Sequence, residues 1–263
     1  GGRPYALTTS TGPKRQPEFS PDGKKLSYIE AGRVYVAELN GSNPDPVLPT
    51  HAEMAMAMGS AESRGAIPLY SAYSWAPDSE GLAGISSPDR VTDSLKYLPK
   101  PDGEVLVVTP SVPMMHINGI AWAAKEAVLA ATVQLGRDAL VLAFYPRQKR
   151  LEMLVRAKNI TFGAPAVAPD GSVVILPVGT ATDKQEAGLV RIDVGTKRSG
   201  MLCIGEFEKP VFSPDGNRIL AAQLDPKTRK HAVVTIDPES GKVTRLTHGA
   251  DCFDAVFSPM SAR

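Results

Sequence analysis

Two short stretches hold the residues best suited to chemistry. His51 is followed by Met54, Met56 and Met58, and Met114-Met115-His116 forms a second cluster. Thioether sulfur and imidazole together suit Cu(I), so His51, Met54, Met56 and Met58 are candidate copper ligands. The competing reading is an adaptable apolar surface, tucked over a strand layer or offered to a partner. The four histidines, His51, His116, His231 and His248, stand far apart and read as exposed loop residues. Asp22, Asp78, Asp170 and Asp215 recur within one short phrase, where aspartate bonds its own backbone in a turn, so they read as turn residues and not metal ligands. Cys203 and Cys252 lack metal-type spacing and occupy different repeat positions, which argues against a disulfide between them. The sequence contains no Gly-x-Ser-x-Gly elbow, Gly-rich phosphate loop, His-Glu-x-x-His or Cys-x-x-Cys-His. A non-catalytic chain without a cofactor is the expectation.

The phrase around those aspartates organises the whole sequence. Phe19-Ser20-Pro21-Asp22-Gly23 returns as Phe212-Ser213-Pro214-Asp215-Gly216. Weaker copies are Trp75-Ala76-Pro77-Asp78-Ser79 and Val167-Ala168-Pro169-Asp170-Gly171, and Phe257-Ser258-Pro259 is cut short. Trp122-Ala123-Ala124 keeps the aromatic anchor without the Pro-Asp pair. Measured at Pro21, Pro77, Ala124, Pro169, Pro214 and Pro259, the intervals are 56, 47, 45, 45 and 45 residues, the mark of a repeat architecture. Physically the phrase is a hairpin. An apolar residue ends a strand, Pro opens the turn, Asp holds it and Gly accepts the positive φ that closes it. Phe19, Trp75, Trp122, Phe212 and Phe257 are expected as buried anchors.

Each phrase is followed by three further β-prone runs. The first unit spans Pro17–Ser20, Lys25–Glu30, Val34–Leu39 and Pro46–Pro49, and four more units follow with first strands at Tyr73, Ile120, Ala164 and Pro210. An insertion at about 50–70, rich in Ala, Glu and Met, predicts a short helix or a loop between the first two units. Tyr5–Thr9 matches an outermost strand and Phe253–Phe257 an innermost one. The expectation is therefore a single all-β domain over residues 1–263. It is a β-propeller with five complete four-stranded blades plus a split, incomplete sixth. The alternative is a closed five-bladed propeller. Composition agrees: 43% hydrophobic residues supply a core, while 23 Gly and 23 Pro disfavour long helices. With 29 Lys and Arg against 28 Asp and Glu there is no basic face for nucleic acid, and no apolar run is long enough to span a membrane. Gly1-Gly2-Arg3-Pro4 reads as a processed end, an engineered addition or an excised domain.

The run Pro17-Glu18-Phe19-Ser20-Pro21-Asp22-Gly23-Lys24-Lys25-Leu26, with Arg33-Val34-Tyr35-Val36 and Gly41 after it, resembles the TolB-like propeller repeat, which also occurs in prolyl oligopeptidase propellers. The resemblance covers the chain and is specific for fold, not function. It implies a protein-interaction or scaffold module in a bacterial envelope or extracellular assembly, hence a periplasmic or extracellular location. The alternative is the propeller portion of a larger enzyme such as a prolyl-oligopeptidase-like peptidase. Loops entering the innermost strands gather at one mouth of a propeller. Gln16, Glu18, Tyr73, His116, Asn118, Glu206, Glu208, Lys209, Asp251 and Asp254 are accordingly the binding candidates. The expected partner is a protein, one role of which is to complete the sixth blade.

Overall fold

The computed structural model describes residues 6–8, 10–59, 67–87, 91–109, 112–113, 115–180, 187–249, 251–253 and 255–257. The chain divides into two compact units, Gly1–Pro113 and Met114–Arg263. The first holds two antiparallel sheets, each ordered as in the sequence. One is β1 (Lys14–Phe19), β2 (Lys25–Glu30), β3 (Arg33–Glu38) and β4 (Asp45–Leu48). Helix α1 (His51–Gly59) leads to the other, which is β5 (Tyr70–Trp75), β6 (Leu82–Ser86), β7 (Ser94–Leu98) and β8 (Leu106–Thr109).

The second unit holds three sheets. The third sheet of the chain is β9 (Met115–Trp122), β10 (Leu129–Leu135), β11 (Asp138–Tyr145) and β12 (Arg150–Lys158). In the fourth the first strand comes in two pieces, β13 (Ile160–Phe162) and β14 (Ala166–Val167). Both pair with β15 (Val173–Thr180), ahead of β16 (Gly188–Asp193) and β17 (Ser199–Ile204). The fifth is β18 (Phe207–Phe212), β19 (Ile219–Leu224), β20 (His231–Ile236) and β21 (Val243–Arg245).

The repeated phrase closes the first hairpin of every sheet. In the first, the amide of Ser20 donates to the Lys25 carbonyl (3.0 Å) and that of Gly23 to the Ser20 carbonyl (2.8 Å), with Gly23 at φ 70°. The Ser20 hydroxyl donates to Asp22 and accepts from the Lys25 amide. Ser213, Asp215 and Arg218 repeat the arrangement. Where Ala replaces Ser the backbone pair survives, from Ala76 to Gly81 and from Ala168 to Val173, both at 2.8 Å. Even Ala123, in the copy without Pro-Asp, donates to Val128 at 2.9 Å. The register that results is constant. Phe19 faces Leu26, Trp75 faces Leu82, Trp122 faces Leu129, Val167 faces Val174 and Phe212 faces Ile219.

Apolar side chains fill the spaces between successive sheets of each unit. Ile29, Val34, Leu48, Tyr70, Tyr73, Trp75 and Leu82 form one core in the first unit. Ala130, Val141, Phe162 and Val174 belong to a second, and Ile175, Leu189, Phe207, Ile219 and Val234 to a third, both in the second unit. The expected anchors fare unequally. Trp75 is buried and its Nε1 donates to Ser27 Oγ of the first sheet at 2.7 Å. Trp122, Phe212 and Phe257 are half-buried, and Phe19 is 62% exposed. Phe19 ends β1, a strand that is largely exposed along its length, whereas Trp75 ends β5, whose inward residues pack into the core shared with the first sheet.

A further expectation, the split sixth blade, is corrected. No sixth sheet is present among the described residues. Ala6, Leu7 and Thr8 form no strand, nor do Ala255–Phe257, while Tyr5, Thr9, Asp254 and Ser258–Arg263 lie outside the described residues. The carboxyl-terminal stretch is instead tied to the start of β20, the Cys252 amide donating to the His231 carbonyl at 3.0 Å. Leu7 keeps one close approach to the first sheet. A Cβ built on Gly41, in the β3–β4 turn, would overlap the Leu7 carbonyl oxygen, as one on Gly241 would overlap that of Leu202 on β17.

Helix α1 fulfils the expectation for the insertion. Thr50 and Glu53 form a capping box, with the Thr50 amide donating to Glu53 Oε2 (2.9 Å) and the Glu53 amide to Thr50 Oγ1 (3.3 Å). Glu53 also accepts from Tyr70 Oη at 3.0 Å and pairs with Lys96 of β7, which fastens the helix to the second sheet.

The glycine contacts give a graded stability test. Gly23→Ala adds a side chain in open space and is expected to lose roughly 1–2 kcal/mol for the left-handed backbone alone. Gly241→Ala needs the same backbone and also meets the Leu202 carbonyl, so its loss should exceed about 3 kcal/mol. Urea denaturation of both variants ranks them, and equal losses would contradict the packing.

Candidate functional site

The first strand of each sheet breaks its ladder a few residues before the hairpin. In β1 the register jumps between Arg15 and Glu18, across Gln16 (φ 50°) and Pro17. In β18 it jumps between Glu208 and Val211, across Lys209 (φ 48°) and Pro210. β5 slips between Tyr70 and Ala72, and β9 slips at Asn118. In the fourth sheet the break runs from Gly163 to Pro165, between β13 and β14. Proline has no N–H for a ladder, so a bulge is where a strand accepts it. Carbonyls released there accept from the neighbouring sheet of the same unit. Tyr73 Oη donates to the Gln16 carbonyl (2.6 Å), Asn118 Nδ2 to that of Phe162 (2.9 Å) and Thr132 Oγ1 to that of Gly163 (3.0 Å).

The predicted binding residues sit on these strands and not in loops ahead of them. Gln16 and Glu18 lie on β1 and Tyr73 on β5; His116 and Asn118 lie on β9, Glu208 and Lys209 on β18. Glu206 directly precedes β18 and Asp251 follows β21, while Asp254 lies outside the described residues. Proline misled the sequence reading, because Pro17 and Pro210 look like strand starts when each is the middle of one.

In the first unit Gln16, Glu18 and Tyr73 do come together. Tyr73 is only 2% exposed, and besides Gln16 its hydroxyl meets Ser27 Oγ at 2.8 Å. Ser27, also fully buried, accepts from the Trp75 indole, and its one hydroxyl proton is shared between the Tyr73 oxygen and the Glu18 carbonyl (3.1 Å). Tyr73 is therefore a core residue that ties the second sheet to the first. Burial raises the Tyr73 phenol above its ordinary range, and the Glu18 charge adds to the effect. Burial likewise pushes the Glu18 carboxyl up from 4.5 to about 7.

In the second unit Asn118, Glu206 and Glu208 line one cleft of about 460 Å³ whose apolar wall includes Phe162, Pro177 and Leu224. His116 and Lys209 are exposed and do not line it. Glu208 also faces His231, its Oε1 3.7 Å from Nε2. The sequence reading took His231 for an exposed loop residue, whereas it opens β20 and its side chain is 15% exposed. A corresponding groove of about 730 Å³ in the first unit is lined by Arg15, Leu69, Tyr70, Ser71, Ser87 and Asp93.

The copper candidates all fall on α1. His51, Met54 and Met58 are spaced three and four residues apart, along one helix face, whereas Met56 is offset from it. Met56 and Met58 are 75% and 73% exposed, and Met54 is half-buried. Met114 lies outside the described residues. Among the described residues no group of three or more His, Cys, Asp or Glu side chains could hold a metal ion. The recurrent aspartates bond their own turns. The Ser20 and Ser213 hydroxyls, with the following amides, hold Asp22 and Asp215 below the usual carboxylate range, and the Ser172 amide and hydroxyl do so for Asp170.

Glu18 yields a pH test with a definite sign. Its carboxyl keeps its proton in the folded chain up to about pH 7, against about 4.5 when exposed. The stability it contributes is complete below about 4.5 and is lost as pH rises through about 7. Glu18→Gln should flatten the profile across that window and be the more stable form at about pH 8 by roughly 2–3 kcal/mol. Urea melts of both forms across this pH range check it, and parallel profiles would contradict it.

No protein-family model matches the chain, and no curated protein matches it in sequence. Among solved structures it is similar to TolB from Acinetobacter baumannii, with a TM-score of 0.58 and 16% identity over 88% of this chain and 51% of that one. It is similar to an oligogalacturonate lyase from Vibrio parahaemolyticus, with a TM-score of 0.69 and 12% identity over 95% and 69% of the two chains. A puromycin-hydrolysing peptidase from Mycobacterium tuberculosis gives 0.63 and 15% over 92% and 40%. The chain thus spans about half the length of that TolB and less than half of that peptidase. At these identities the likeness is one of fold, and the fold is that of TolB-like and related β-propellers.

Proposed function

We propose that this chain is the β-propeller portion of a larger enzyme, of the kind represented by prolyl-oligopeptidase-like peptidases, and that it receives substrate without cleaving it. The carrying observation is the extent of the likeness to the mycobacterial peptidase, which takes in 92% of this chain and 40% of the other. The sequence agrees, having no Gly-x-Ser-x-Gly elbow, so the nucleophile would belong to another domain. The cleft lined by Asn118, Glu206 and Glu208 offers an amide, two carboxylates and an apolar wall, a combination suited to an extended peptide.

A second reading is favoured by the likeness to TolB: a non-enzymatic interaction module of a bacterial envelope or extracellular assembly. The two differ in the native polypeptide. Under the first, the product isolated from its source is substantially longer than 263 residues and takes up a fluorophosphonate serine-hydrolase probe. A native product without such labelling, together with no peptidase activity, overturns the enzyme reading and leaves the interaction module.

A further inference from the structure

His231 opens β20, and three groups converge on its ring. Glu208 of β18 places Oε1 3.7 Å from Nε2, and Asp251 places Oδ1 3.4 Å from Nδ1. The Phe253 ring lies 4.3 Å away, tilted by 47°. The same segment is bound through the backbone, the His231 amide donating to Asp251 Oδ1 at 2.7 Å and the Cys252 amide to the His231 carbonyl at 3.0 Å. The imidazole side chain is 15% exposed, and its Nδ1 is buried without a hydrogen bond.

A neutral imidazole has one N–H and one lone pair, so between two carboxylates one nitrogen must face an acceptor. An imidazolium has two N–H donors, one for each carboxylate. The surroundings leave this balance to few groups. Across the ladder on β19 the partner of His231 is Leu224, which is uncharged. β18 contributes Glu208 and, beside it, Lys209; the terminal segment contributes Asp251. Arg229 and Lys230 directly precede it on its own hairpin, Arg245 is paired with Asp225, and His248 is exposed.

We infer that His231 is a pH-sensitive latch on Asp251–Phe253. Protonated, it gains an ion pair on each nitrogen, clamps the segment and draws Glu208 toward itself. Neutral, it loosens the segment and leaves Glu208 to the cleft shared with Asn118 and Glu206. The sign follows from the two carboxylates: protonation adds a second donor facing them, so the segment is held more tightly in the acid form. The latch does not depend on what the cleft binds, and so stands apart from the enzyme reading.

The test is hydrogen exchange by mass spectrometry at about pH 5.5 and about pH 8. Protection of residues 246–253 is corrected for intrinsic rates and compared between wild type, His231→Gln and His248→Gln. Wild type should show protection about three- to tenfold higher in acid. His248→Gln should keep that rise and His231→Gln should lose it. Equal protection at both pH values in wild type, or an undiminished rise in His231→Gln, overturns the latch. If His231→Gln also loosens β19 and β20, Asp251→Asn replaces it, since the imidazole then stays in place. That variant should reduce the rise, and an unchanged rise overturns the proposal.

Discussion

Register is the constraint on which the rest of this structure depends, and a turn of five residues sets it. The backbone pair from Ser20 to Lys25, and its equivalents after Trp75, Trp122, Val167 and Phe212, fix which residue faces which across the first hairpin. A slip of one position would turn every side chain of the second strand to the opposite face. Those second strands are the most completely buried in the molecule, as Leu82–Ser86 shows with every residue inside. A misplaced turn would thus be felt throughout the core. The Ser-Asp side-chain bonds reinforce the turn in the first and fifth sheets, and the copy at Ala123 shows that the backbone pair suffices.

Given that register, the bulged first strands follow as the means of joining sheets. A regular edge strand directs its free carbonyls along a ladder direction that nothing in the next sheet can reach. At Gln16-Pro17 and around Gly163 the chain turns a carbonyl sideways, where a Tyr hydroxyl, an Asn amide or a Thr hydroxyl meets it. Different donors serve the same purpose, so the contact belongs to the geometry and not to any one residue type. Ser27 makes one such junction, joining Tyr73, Trp75 and the Glu18 carbonyl in a buried network.

What could be read from the sequence was whatever repeats. All five second strands begin within two residues of the expected position because phrase and strand are adjacent. Features without a repeat signal were misread or unseen. Phe19 carries the anchor's residue type yet ends a largely exposed strand. Leu7 carries a fourth-strand motif and a close contact at Gly41, yet no ladder forms there. Glu53 gave a helix-start signal with Thr50, but its pairing with Lys96 and Tyr70 joins residues far apart in the chain, and nothing local announces that.

The chemistry of this chain is found where the repeat leaves residues free to differ. The groove between successive sheets recurs in both units, bordered in each case by the end of a second strand and the start of the next first strand. In the first unit it presents Arg15 and Asp93, in the second Glu206, Glu208 and Asn118. Register and core packing hold the groove's walls, helped in the second unit by the Asn118 amide on the Phe162 carbonyl, while no side-chain bond to those walls involves Glu206 or Glu208 among the described contacts. A scaffold built this way tolerates exchange of groove residues at little cost in stability, which is how one fold comes to serve peptidases, lyases and interaction modules alike. Glu208 is the residue at which the two roles meet, since it lines a groove and also faces the histidine whose backbone is bonded to Asp251 and Cys252.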